Sequence, residues 1–135
     1  MAVLLDSSFI IACFNKEDRH HTRALEMYRE LRSQRYGKLI VLDHVFDELV
    51  TCLRTRARDK RSALVAGNAL LNDPLVSVSG SGQRLFALAW QLFARYDRLS
   101  FTDALIAAHA QAVGIKQVVS FDNDFDGIPF IERMC

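Results

Sequence analysis

The stretch A-V-L-L-D-S-S-F-I-I-A-C-F, residues 2–14, decides how the chain is read. Residues 2–5 are an apolar run of β-type character, too short for a buried helix, and a carboxylate, Asp6, ends it. Two serines follow, and then a run with the character of a helix, for which Ser7 or Ser8 is the expected N-cap. A short strand, an acid at its end and a helix behind it make the opening of a strand–helix unit.

The pattern returns along the chain. K-L-I-V-L-D (38–43) reads as a second buried strand, again closed by an acid, Asp43. L-V-S-V-S-G (75–80) is a third, and K-Q-V-V-S-F-D (116–122) a fourth, ending at Asp122. I-P-F-I-E (128–132) is a candidate last edge strand.

Helical spacing fills the intervals. Ala24, Leu25, Tyr28 and Leu31 recur on one face of residues 20–35, and Gly37 is the expected left-handed stop. Helices are expected over 45–58 and 61–72, with a break at N-D-P (72–74). Residues 80–95 carry Leu85, Leu88, Ala89, Leu92 and Phe93 on one side. The last helix, 100–113, closes at Gly114.

Strands alternating with helices predict an α/β domain with a largely parallel sheet, residues 1–135 forming one domain. Right-handed crossovers bring the carboxyl ends of parallel strands to one rim, where ligands bind at the point of strand-order reversal.

Composition narrows the function classes. The chain has 135 residues, half of them hydrophobic, enough to bury a core without disulfides. A net charge of +1 excludes coating nucleic acid by bulk charge but leaves room for a local basic patch. The odd count of three cysteines, without metal-type spacing, suggests reduced thiols and a cytoplasmic location. M-A-V-L-L is too short for a signal segment, and no apolar run nears the ~20 residues of a membrane helix.

The acids carry the chemistry. Asp6 and Asp122 end strands. Asp103 opens a helix behind Ser100, in the pattern of a capping box, where a negative charge also suits the helix dipole. Glu48 lies in F-D-E-L-V-T-C-L-R at the border of a face centred on Leu49, with Asp47 on the solvated side. A parallel sheet allows all four to converge on one rim. Clustered carboxylates repel and raise each other's pKa unless a cation neutralises them. Hard oxygen ligands select magnesium or manganese, and such an ion suits hydrolysis of a phosphodiester.

F-D-N-D-F-D-G adds Asp124 and Asp126. It begins like a calcium loop, with Gly127 at the sixth position, but Arg133 stands where the twelfth needs Glu. Whether Asp122 or Asp124 is the fourth acid is open from sequence.

The chain resembles the PIN-domain nucleases, and within them the small VapC-like toxins. L-L-D-S-S-F-I-I-A-C-F is similar to the family's opening strand, acid and helix, and D-R-H-H-T-R-A-L-E-M-Y to its first long helix. F-D-E-L-V-T-C-L-R carries the inward Glu, L-S-F-T-D-A-L-I-A-A-H-A-Q-A-V-G-I the third acid, and V-V-S-F-D-N-D-F the closing strand. The pieces run in order over almost the whole chain. The resemblance implies Asp6, Glu48, Asp103 and Asp122 as an acidic quartet holding Mg2+ or Mn2+, with Asp124 beside it and Ser8 and Ser120 as accompanying polar residues. It also implies endoribonuclease activity on RNA, a homodimer, and inhibition by an antitoxin protein.

Substrate contact calls for positive charge. L-R-T-R-A-R-D-K-R (53–61) has five cations against one acid, a local charge of +4, so Arg54 and Arg58 are candidate RNA-binding residues. Arg95 and Arg98 extend that track toward Asp103. His20, His21, His44 and His109 read as capping, surface or packing residues, which leaves metal-free acid–base ribonuclease chemistry without support. A receiver-like magnesium-binding signalling domain would need a second acid next to Asp6 and a Lys after the last strand. A non-catalytic PIN-like interaction protein is the other alternative.

Overall fold

The computed structural model describes residues 1–33, 35–56 and 58–135. Its strands are β1 (Ala2–Leu5), β2 (Lys38–Leu42), β3 (Val76–Ser79), β4 (Gln117–Val119) and β5 (Glu132–Met134). They form a single sheet in the order β3-β2-β1-β4-β5, and all four pairings are parallel. β1 lies at the centre, with Leu4 opposite both Ile40 and Val118. Val3, Leu4 and Leu5 are buried, as expected of a parallel strand covered on both faces.

Six helices connect the strands: α1 (Ser7–Phe14), α2 (His21–Arg32), α3 (Asp43–Arg56), α4 (Lys60–Asn72), α5 (Gly82–Arg95) and α6 (Phe101–Val113). α6 is buried without interruption from Asp103 to Ala110. Its alanines at 104, 107, 108 and 110 let the helix sit close among its neighbours. None of the described helices is long and apolar enough to cross a membrane.

Several boundaries differ from the periodicity. α2 ends at Arg32, so Gly37 does not close it; with φ +76° it turns the chain into β2 instead. A Cβ there would lie 1.9 Å from the Met1 carbonyl oxygen. α3 starts at Asp43, whose carboxylate accepts the His44 N–H and the Ser81 hydroxyl. The expected extension of α3 to residue 58 crosses Ala57, outside the described residues, and Arg58 is outside any helix, at φ +50°.

β4 ends at Val119 rather than Asp122, because the chain bends into a 3-10 turn (Asn123–Phe125) that Asp122 caps. β5 sits a few residues beyond 128–132, leaving Pro129, which has no N–H for a ladder, outside the sheet.

The chain builds β1, β2 and β3 outward on one side, then crosses to β4 and β5 on the other. Strand order therefore reverses between β1 and β4, and the crevice beyond their carboxyl ends is where such sheets bind ligands. Asp6 follows β1 directly and Ser120 follows β4 directly.

Candidate active site

Asp6 occupies the N-cap position of α1 but makes no side-chain cap. Its Oδ2 instead accepts the hydroxyls of Ser8, at 2.8 Å, and Ser120, at 2.6 Å. Each serine oxygen also accepts a backbone N–H, Ser8 from Phe121 and Ser120 from Asp122. So the expected capping serine, Ser8, orients the acid instead and ties the α1 start to the loop after β4. Both bonds fall on Oδ2, and Oδ1 has no protein donor among the described residues.

Asp103 completes the capping box: its N–H donates to Ser100 Oγ, and its Oδ2 accepts the Ser100 N–H, both at 3.1 Å. The one bond to this carboxylate again falls on Oδ2, and the residue is only 6% exposed. Beyond the helix end, Asp122 and Asp124 bring oxygens to Asp103, one from each residue, all within 4.8 Å of one another. Asp122 and Asp124, between which the sequence leaves the fourth acid open, both reach this place. Asp126 does not: Arg133 holds it through two nitrogens, at 2.6 and 3.1 Å.

The electrostatics match the geometry. Burial, and then the Asp6 charge, push the Asp103 carboxyl up to about 6. Asp122 is raised as well, chiefly by burial, with Asp124 and Asp6 adding to it. Carboxylates that resist ionising together, with unengaged oxygens on Asp6 and Asp103, are a hard-oxygen donor set suited to a small divalent cation. The residues present fit such an ion.

Glu48 is half-buried on α3 and lines a cleft of about 480 Å³ with Ile11, Thr51, Cys52 and Arg56. It is not part of the Asp103–Asp122–Asp124 group. Arg54 and Arg58 are exposed. Arg54 lines a separate, mostly apolar cleft between α3 and α4. Six residues beyond Glu48, Arg54 lies ~9 Å farther along a helix that leads away from the rim. Within that basic run Asp59 caps α4, accepting the Arg61 N–H.

The cation at the rim is Arg98, whose Nη2 donates to Asn123 Oδ1 at 2.8 Å and lies 3.3 Å from Asp124 Oδ1. Charge pattern alone pointed toward Arg98; nothing in the sequence singled out Asn123.

The histidines are less bland than expected. His20 stacks face to face on Phe121, with ring centroids 4.2 Å apart, and so braces the loop between Ser120 and Asp122. His21 Nδ1 donates to the Ala12 carbonyl, and His44 Nε2 to the Thr102 carbonyl, joining the starts of α3 and α6. His109 is buried with Nδ1 unpartnered.

The parallel sheet, with Asp103, Asp122 and Asp124 gathered at its strand reversal and the Asp6 charge acting on them, defines an α/β domain with an acidic site. Residues 3–131 match the family model of the PIN domain, and the chain belongs to that family.

Among characterised proteins it is 24% identical over 136 residues to a VapC ribonuclease of Archaeoglobus fulgidus, covering 98% of this chain and 84% of that one. Among solved structures it is similar to Mycobacterium tuberculosis VapC20, described as a sarcin–ricin loop cleaving toxin. The TM-score is 0.80 at 29% identity, over 96% of this chain and 97% of that one. VapBC2 of Rickettsia felis, solved bound to a DNA fragment from its promoter, shares the fold with a TM-score of 0.74 at 17% identity, over 99% and 98%. Family membership sets aside the receiver-like alternative.

Proposed function

We propose that the protein is a Mg2+- or Mn2+-dependent endoribonuclease acting as the toxin of a toxin–antitoxin pair. The observation that carries this reading is the meeting of Asp103, Asp122 and Asp124 beside Asp6 at the β1–β4 crevice. A bound divalent ion supplies positive charge and Lewis acidity for phosphodiester hydrolysis.

The chain's residues divide the remaining tasks. Asp6 and Asp103, each fixed through Oδ2 and open at Oδ1, would hold the ion. Asp122 and Asp124, at the more exposed side, would complete the donor set and orient water. Ser8 and Ser120 keep Asp6 in position. Glu48, half-buried on α3, would serve as the outer acid of the catalytic set, and Arg54 and Arg58 would bind RNA phosphates remote from the scissile one.

The partner proteins follow the relatives. A similar structure from Klebsiella pneumoniae is a toxin–antitoxin complex, which supports an antitoxin here. For the homodimer, α5 offers a surface: Phe86, Trp90 and Phe93 are exposed on it, as are Ala87 and Ala94. Pairing of two α5 helices would cover these aromatic rings. Three free cysteines support a reducing, cytoplasmic setting.

The test is cleavage of structured and single-stranded RNAs in magnesium or manganese, with EDTA as control. Wild type should cleave, EDTA should stop it, and Asp6→Asn and Asp103→Asn should each be inactive. Equal cleavage by wild type and Asp103→Asn would overturn the assignment.

A further inference from the structure

Arg98 stands in the turn before α6, five residues ahead of Asp103, with its side chain 61% exposed. Among the described residues it is the only cation in an ion pair with the acidic trio. Its contacts with Asn123 and Asp124 both use Nη2. Nε and Nη1 are without a protein acceptor among the described residues. Arg133, the other arginine nearby, is occupied by Asp126 and the Ser120 carbonyl.

We propose that Arg98 grips an RNA phosphate at the acidic site, and that Asn123 is its positioning residue. The inference rests on the nuclease reading above and names a substrate contact within it. Asp124 is a partner that a divalent ion would take over, whereas neutral Asn123 would not be taken. The bond to Asn123 therefore keeps the guanidinium at the rim when Asp124 turns to the ion. The Nη2 hydrogen released from Asp124, together with the open Nε or Nη1 beside it, then forms a planar fork that matches two phosphate oxygens. A polyanion brought to a cluster of acids needs such a cation at its entrance.

The experiment follows labelled single-stranded RNA by fluorescence anisotropy across a salt series, with calcium in place of magnesium. Single-turnover cleavage in magnesium accompanies it. Arg98→Ala should weaken binding about tenfold and lower the slope of log affinity against log salt by about one. It should raise the half-saturating protein concentration in single turnover while leaving the melting temperature unchanged. Arg98→Lys should restore the slope but only part of the affinity, and Asn123→Ala should weaken binding less than Arg98→Ala with the slope kept.

Wild-type affinity, slope and half-saturation in Arg98→Ala would overturn the inference. So would tighter metal binding with RNA binding unchanged, which would make Arg98 only a counter-charge for Asp124. If wild type neither binds nor cleaves RNA, the nuclease reading falls and this inference with it. If wild type cleaves and Arg98→Ala binds equally, the inference alone falls.

Discussion

Ser120 contributes one oxygen to the site, and that oxygen both donates to Asp6 and accepts from the Asp122 backbone. Removing it leaves Asp6 with a single hydroxyl partner. Ser120→Ala should therefore cost about 10–100-fold in activity, the usual effect of losing a residue that orients a metal ligand. Cleavage rates of the purified variant check this.

Asp103 makes a second residue-scale prediction, on stability. Its folded carboxyl is pushed up to about 6 from the ordinary 3.8, so the folded state holds the proton more tightly than the unfolded state. Its contribution is therefore fully present at low pH and is lost as pH rises through that window. Buried His109, depressed by desolvation, acts in the opposite direction, gaining stability as pH rises, so the comparison must be with a variant. In EDTA, Asp103→Asn should gain melting temperature over wild type at pH 7 and lose that gain by about pH 4. A pH-independent difference would contradict the raised carboxyl.

At this scale the acids were legible because strand ends and a capping pattern mark them. What separates Asp124 from Asp126 was not, since Arg133 comes from β5, and only the fold brings it to Asp126.

Between α2 and the start of β3, Tyr28 Oη donates to Asp73 Oδ2 at 2.8 Å, and Arg32 pairs with the same carboxylate. Burial alone would raise the Asp73 carboxyl; the Leu75 N–H, Tyr28 and Arg32 together hold it below its ordinary value. This contact fixes where α2 packs. Tyr28→Phe should lower stability by about 1–2 kcal/mol, read as a shifted urea midpoint at unchanged m-value.

The elements themselves were readable from apolar spacing, because buried parallel strands and amphipathic helices have distinct periods. Their ends were less so. Asp6 takes the N-cap position of α1 but turns its carboxylate to Ser8 and Ser120, an arrangement set by the neighbouring β4 loop. Gly37 serves a close approach to Met1, a contact between segments that helix-stop signals do not register. Phe93, expected on the packed side of α5, is exposed beside Phe86 and Trp90.

For the molecule as a whole, alternating elements gave the α/β class, and crossover handedness gave a shared rim. The order β3-β2-β1-β4-β5, which makes β1 and β4 neighbours, is a tertiary choice. That adjacency sets Asp6 beside Ser120 and opens the crevice for the acids of α6 and the β4 loop. The exposed α5 face makes a separate whole-molecule prediction: Trp90→Glu should shift the protein from dimer to monomer in sedimentation, with its fold retained. A wild-type monomer would contradict the proposed pairing.

Whether these acids share one divalent ion is decided by titrating the metal-free protein with Mn2+ and counting free Mn2+ by electron paramagnetic resonance. Wild type should bind the ion, and Asp103→Asn should bind it at least about tenfold more weakly. Equal uptake by both proteins would place the ion elsewhere and contradict the account.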